Sequence, residues 1–135
     1  GDPDLVTNNL NASASVYRNN GNGNEALKIV LKGETPNPFA VGARVWVWQK
    51  GKVQYAENQP VRGFQSSVEP GVLMFGLGKD SIVDSLIVAW PDGKWSIRKN
   101  AVVKGTLVLS PGLTGDGTST NNGPVDGVGA WVPQE

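Results

Sequence analysis

The 135-residue sequence contains neither cysteine nor histidine, and both absences narrow the chemistry that the chain can perform. Without cysteine there is no disulfide, no thiolate nucleophile and no zinc–thiolate site. Without histidine the commonest general base and metal ligand of proteins is missing. The acidic residues are scattered and show no pattern of a catalytic pair. We therefore expect a protein that is not an enzyme and that uses no metal ion or other cofactor.

Long apolar runs and a surplus of one charge are also absent. No stretch approaches the roughly 18 consecutive apolar residues of a membrane span. Twelve basic residues balance twelve acidic ones, so the whole chain offers no field that would attract nucleic acid or an anionic membrane. We expect neither nucleic-acid binding nor membrane insertion. The first four residues read like the middle of a longer sequence, and any signal peptide would lie upstream or would have been removed.

Glycine and proline, by contrast, are plentiful, with 18 and 9 residues. They separate short segments in which apolar residues alternate with others, most clearly in 27–32 and 43–48. A period of two is typical of a strand with one buried face. Residues 91–93 form a Pro-Asp-Gly turn that ends one such segment. The pattern predicts an all-β fold of seven or eight short strands, either an antiparallel β-sandwich or a partly open barrel.

Three segments differ in composition. Residues 1–25 hold two short extended stretches joined by Asn-rich turns, which predicts a hairpin that packs on the main domain. Residues 26–110 carry the main β domain. Residues 111–135 form a Gly-rich acidic tail without periodicity, expected to be irregular and to dock through its few apolar residues. Those residues are Val125, Val128, Trp131 and Val132.

Several motifs occur in order within the main domain. They are VGARV at 41–45, RGFQSS at 62–67, FGLG at 75–78, VDSL at 83–86 and VAWPDGK at 88–94. Together they resemble the ASPIC and UnbV domain over about residues 26–110. That family occurs in extracellular, cartilage-associated and bacterial secreted proteins. The resemblance implies a secreted, periplasmic or cell-surface location and an interaction or adhesion role.

The first 25 residues carry a second resemblance. DPDLVTNN at 2–9 and VYRNNG at 16–21 resemble the end of an FG-GAP or VCBS-type propeller repeat. This implies that further propeller repeats upstream are partners in the full-length protein. Calcium in such repeats is held by a loop of Asp and Asn oxygens, of which only Asp2 and Asp4 would be present here. We expect no complete calcium site.

Two groups of residues are candidates for ligand binding. Arg44, Trp46 and Trp48 share one face of a predicted strand, and a two-layer fold turns that face toward solvent. Exposed tryptophans would offer a flat platform for a sugar ring or a protein. The alternative is that the tail or the N-terminal hairpin covers them. A third tryptophan, Trp90, is expected in the core.

The second group is the loop that contains Arg62, Phe64 and Gln65, in which an arginine and small polar side chains could hold a carboxylate or a sugar. The alternative is structural: Arg62 bonds strand carbonyls and Phe64 closes one end of the core. We expect an extracellular, non-enzymatic module that binds a protein or glycan at the cell surface. Two alternatives remain: a structural cap on a propeller, and a carbohydrate-binding accessory domain that uses Trp46 and Trp48.

Overall fold

The structure is a computed structural model that describes residues 3–102 and 105–111. Within these ranges the chain forms eleven strands. They are β1 (Leu5–Thr7), β2 (Ser15–Tyr17), β3 (Glu25–Leu31), β4 (Arg44–Gln49), β5 (Lys52–Glu57), β6 (Val61–Gly63), β7 (Ser66–Ser67), β8 (Val72–Gly78), β9 (Ile82–Ala89), β10 (Trp95–Val102) and β11 (Gly105–Leu109). No helix in this part of the chain is long and apolar enough to cross a bilayer.

Seven strands build two sheets, and the predicted all-β sandwich is confirmed. One sheet has the order β10-β9-β4-β5 and is antiparallel throughout. The other has the order β11-β3-β8, in which β3 and β8 are antiparallel but β11 lies parallel to β3. The parallel pair departs from the expected antiparallel pattern. It arises because β10 and β11 belong to different sheets, so no tight hairpin turn dictates the direction of β11.

The core lies between the two sheets and consists of the alternate residues of each strand that face the other sheet. Each inward side chain contributes about 1.5–3 kcal/mol through burial. Trp90 is in this core, as expected, and its indole Nε1 donates a hydrogen bond of 2.8 Å to Ser96 Oγ. The apolar side chains of the core include Leu27, Ile29, Leu31, Val45, Val47, Leu73, Phe75, Leu77, Leu86 and Val88.

A two-residue turn at Lys50 and Gly51 joins β4 to β5. Both residues have positive φ, 49° and 72°, which is the conformation of the tight turns that suit the twist of a β-hairpin. The turn fixes the register of the hairpin and places Tyr55 directly opposite Trp46. Along β5, Gln54 Nε2 donates a hydrogen bond of 2.7 Å to the carbonyl of Gly76. This bond links β5 to β8 of the other sheet.

The N-terminal segment forms the predicted hairpin, with β1 antiparallel to β2. It differs from the expectation of packing on the sandwich, because its apolar residues Leu5, Val6, Val16 and Tyr17 are each more than half exposed. Two three-residue strands offer little apolar area to bury. The segment that follows is fastened to the sandwich by Lys79, whose Nζ donates to the carbonyls of Asn22 and Gly23. The tail residues predicted to dock, in 112–135, lie outside the described part.

At one end of the sandwich, the buried side chain of Asn58 joins three loops. Its Nδ2 donates to the carbonyls of Phe39, at 2.6 Å, and Ala40, at 2.8 Å, and its Oδ1 accepts from the backbone N–H of Gly71 at 3.0 Å. The amide therefore has partners for both its nitrogen and its oxygen, as a buried polar group requires. Gly71 adopts a φ of 79°, and a Cβ there would lie 2.8 Å from the Leu31 carbonyl oxygen. Only glycine fits at this point.

Replacing Asn58 with aspartate should destabilise the fold by about 3–5 kcal/mol at neutral pH, because a carboxylate would face two carbonyl oxygens with no proton to donate. Urea denaturation followed by circular dichroism measures this loss. Asn8→Asp, at an exposed position of the hairpin, is the matched control and should leave the urea midpoint unchanged. Equal stability of the two variants would show that the Asn58 bonds are dispensable.

Candidate ligand-binding face

The outward side of the four-stranded sheet differs from an ordinary polar surface. The strand registers place alternate residues of all four strands on this side, here called the aromatic face. Its members are Trp95, Ile97 and Lys99 of β10, Ser85, Ile87 and Ala89 of β9, Arg44, Trp46 and Trp48 of β4, and Val53, Tyr55 and Glu57 of β5. Four of these twelve side chains are aromatic. The sheet therefore has apolar side chains on its outer side as well as on its inner side.

Trp46 is at the centre of the aromatic face and is only 8% exposed. Its ring stacks on Trp95, with centroids 5.8 Å apart and planes at 16°. On its other side Tyr55 lies at 5.3 Å and is tilted by 45°. Ile87 and Ala89 complete the cluster. Trp46 is thus covered by neighbours of its own sheet, and it supports the rings beside it while showing little surface of its own.

The exposed surface of the aromatic face lies toward β5. Trp48 is half-buried against the cluster, whereas Tyr55 is 53% exposed and Val53 54%. The cross-strand contact with Trp46 fixes the Tyr55 ring without covering it. Trp46, one of the two tryptophans predicted to form a platform, is therefore largely buried. The accessible ring beside it on the aromatic face is that of Tyr55.

Glu57, two residues after Tyr55, is held by two hydrogen bonds. The Tyr55 hydroxyl donates to Glu57 Oε2 at 3.3 Å, and Gln59 Nε2 donates to Oε1 at 2.7 Å. Partial burial raises the pKa of Tyr55 above its ordinary value, and the negative charge and hydrogen bond of Glu57 raise it further. The positive charge of Arg44 opposes this rise. Arg44 itself is exposed and lies directly across from Glu57 in the β4–β5 register.

The second predicted group lies on a small hairpin formed by β6 and β7. Phe64 is 92% exposed at its tip, so the interpretation that Phe64 closes one end of the core is wrong. The reason is that Phe64 and Gln65 form the two-residue turn between the paired residues Gly63 and Ser66, with Gln65 at a φ of 54°. A turn at the end of a projecting hairpin points away from the sandwich.

Arg62 lies at the base of the same hairpin, beside the end of β5. A shallow pocket lies here, between β5 and the small hairpin, and we call it the edge pocket; Arg62 is the one predicted site residue in its lining. It is lined by Tyr55, Ala56, Glu57, Gln59, Val61 and Arg62. Phe64 and Gln65 are not among its lining residues. Within the described part of the chain neither Arg62 nor Arg44 forms an ion pair.

The sequence interpretation missed Tyr55, Glu57 and Gln59, although a signal for the first two was present. Once Lys50 and Gly51 are taken as a two-residue turn, the register of the hairpin follows, and Tyr55 falls opposite Trp46. Glu57 then shares the same face by alternation. Gln59 gave no such signal, because it follows the strand and its position depends on the loop that Asn58 holds.

Trp46→Ala should destabilise the protein by about 3–5 kcal/mol, because it removes a large buried ring and leaves a cavity between Trp95 and Tyr55. Trp48→Ala, which removes the same group from a half-buried site of the same strand, should cost about 1–2 kcal/mol. Denaturant midpoints of the two variants measure the difference. Equal losses would contradict the central position of Trp46 in the aromatic cluster.

Comparison with known proteins and protein families identifies the family of the chain. None of the curated proteins compared with the chain is similar to it. The ASPIC and UnbV family matches residues 33–115, more than half of the chain. The matched range includes β4 and β5 with the aromatic face that they carry, the hairpin of Arg62, and Trp90 in the core. The chain therefore belongs to the ASPIC and UnbV family, whose domain is of an extracellular type.

Proposed function

We propose that this protein is an extracellular, non-enzymatic interaction module that binds a protein or glycan partner through its aromatic face. The observation that carries the proposal is the exposed surface of β5, where Val53 and Tyr55 remain half exposed beside a fixed aromatic cluster. Large side chains that are held in place and still accessible lose little entropy when they bind a partner. Membership in a family of extracellular type supports a secreted, periplasmic or cell-surface location.

The opposite side of the sandwich provides a comparison within the molecule. The outward residues of the three-stranded sheet include Lys28 of β3, Met74 of β8 and Val108 of β11. Met74 and Val108 are each 46% exposed, but none of the described outward residues of this sheet is aromatic. Tyrosine, tryptophan and arginine are enriched among the residues that dominate binding energy. The aromatic face has all three, which favours it as the binding surface.

A non-enzymatic role is supported by the chemistry of the same surface. The sequence has no histidine or cysteine to act as base or nucleophile. The carboxylate nearest the exposed ring, Glu57, already accepts hydrogen bonds from Tyr55 and Gln59. Its nearest polar partners are thus an amide and a phenol, which orient it and are suited to recognition.

Val53→Asp should greatly weaken binding to intact cells or secreted matrix of the producing organism, because it introduces a charge on the exposed surface of β5. The expected loss is at least about tenfold in apparent affinity, measured with fluorescent tetramers of the protein by flow cytometry. Met74→Asp is the matched control, since it introduces the same charge on an edge strand of the other sheet. Circular dichroism verifies that both variants are folded.

The proposal fails if the unmodified protein binds neither cells nor matrix. It also fails if Met74→Asp lowers binding as much as Val53→Asp does, because the loss would then have no relation to the aromatic face.

A second function, that of a structural cap on a β-propeller, is favoured by the N-terminal hairpin. Both β1 and β2 expose apolar side chains, and a hairpin of this size is marginally stable unless it packs against something. A preceding propeller sheet would supply that contact. This alternative also accommodates the resemblance of residues 2–9 and 16–21 to the end of an FG-GAP repeat.

Hydrogen exchange distinguishes the cap from the interaction module. In the chain alone, the amides of Val6 and Val16 should exchange rapidly, with little protection beyond that of an isolated hairpin. In a longer chain that includes the assumed propeller repeats, a cap should slow their exchange by at least about a hundredfold. Amides of β3 serve as the internal reference. Unchanged exchange of Val6 and Val16 in the longer chain would exclude the cap.

A further inference from the structure

The edge pocket combines an aromatic ring, a carboxylate, an amide and a guanidinium within one shallow depression beside β5. We infer that this pocket binds a pyranose ring of a neutral saccharide, with the ring lying on Tyr55 and its hydroxyls bonded to Glu57, Gln59 and Arg62. The inference rests on the proposed binding function and names the ligand class of one part of the aromatic face.

Tyr55 is accessible to a ligand although two contacts hold its ring. Trp46 packs beside its ring at a centroid distance of 5.3 Å, and the Tyr55 hydroxyl is bonded to Glu57. Two contacts therefore restrict the orientation of a side chain that is still 53% exposed. A sugar ring presents C–H groups on its faces, and these carry partial positive charge that the electron-rich face of an aromatic ring attracts.

Glu57 supplies hydrogen-bond acceptors to the edge pocket. The two oxygens of Glu57 each accept one hydrogen bond within the protein. A carboxylate has about four acceptor positions, so about two remain for ligand hydroxyls. Because Tyr55 and Gln59 hold the carboxylate from two sides, its remaining positions are oriented before any ligand arrives.

Arg62 supplies hydrogen-bond donors to the edge pocket. Arg62 lines the pocket, is exposed and forms no ion pair within residues 3–102 and 105–111. A guanidinium donates and never accepts, whereas a carboxylate only accepts. A hydroxyl does both, so two adjacent hydroxyls of a sugar can donate to Glu57 and accept from Arg62 at the same time. An apolar ligand would satisfy neither the guanidinium of Arg62 nor the remaining acceptor positions of Glu57.

The balance of charge favours a neutral ligand. The lining contains one carboxylate and one guanidinium, so an anionic sugar would bring its charge toward Glu57 and a cationic ligand would meet Arg62. A polyol satisfies both signs without adding a charge that must be desolvated. The few directional polar groups beside an apolar surface are the usual composition of a small-molecule site.

The test is an NMR titration of the 15N-labelled full chain. The neutral probes are oligosaccharides of glucose, mannose, xylose and N-acetylglucosamine, and the anionic probes are oligogalacturonate and heparin. At least one neutral probe should cause saturable shifts that centre on Tyr55, Glu57 and Arg62. Tyr55→Ala should weaken that binding at least about tenfold. Tyr17→Ala removes a tyrosine of similar exposure, 57%, from the N-terminal hairpin and should leave the affinity unchanged.

Arg62→Ala provides a second variant that does not depend on the aromatic cluster, because its side chain is exposed on a loop hairpin. It should weaken binding of the neutral probe by about threefold to tenfold, while Arg18→Ala, at an exposed position before β3, should not. The two pairs of variants separate a local effect of the pocket from a general effect of removing a ring or a charge.

The inference is overturned if no neutral probe gives saturable shifts, if Tyr55→Ala and Tyr17→Ala bind the probe equally well, or if only heparin or oligogalacturonate binds at the pocket. Binding to cells that is lost in Val53→Asp but shows no competition by neutral saccharides would also overturn it, and would leave the interaction module intact. Saturable binding at the pocket without cell binding would support the saccharide site and refute the broader role.

Discussion

The amide of Asn58 is the interaction on which the position of the candidate site depends. It lies immediately after β5, and it bonds the loop before β4 and the turn before β8 at once. The backbone of Asn58 adds two further bonds, to Gly42 and Ala43. The bonds to Ala40 and Gly71 are buried, so losing the amide would leave the N–H of Gly71 without its partner at a cost of about 1–3 kcal/mol. These bonds fix the conformation of the chain after β5, which places Gln59 and Arg62 beside Tyr55.

The second organising feature is that one sheet is packed on both sides. Its inner side meets the three-stranded sheet, and its outer side buries Trp46 under Trp95 and Tyr55. A four-stranded sheet with an aromatic layer of this kind needs no second domain to protect its central tryptophan. The exposed large apolar side chains of the aromatic face are Val53 and Tyr55, both on the edge strand β5, where the Tyr55 ring adjoins polar groups. Stability and recognition thus depend on the same aromatic face: the buried ring of Trp46 stabilises the fold, and the exposed ring of Tyr55 is available to a ligand.

The sequence predicted the interior better than the surface. Alternation identified the inward residues of β3 and β4 and placed Trp90 in the core, because burial on one side of a strand imposes a period of two on the sequence. The same alternation showed that Arg44, Trp46 and Trp48 share the outward side, but it could not show that Trp46 is covered. Covering requires Trp95, which is distant in sequence and meets Trp46 only through the pairing of β9 with both β4 and β10.

Local patterns and short motifs were enough to establish the all-β class, the turn at Pro91 and the family. Tertiary structure alone decided that β11 pairs parallel to β3, that Phe64 projects into solvent, and that Arg62 joins Tyr55 and Glu57 in one pocket. The physical reason is that alternation records only whether a side chain faces inward or outward. Which outward side chains become neighbours is set by strand order and by buried loop contacts, such as those of Asn58, that carry no periodic signature.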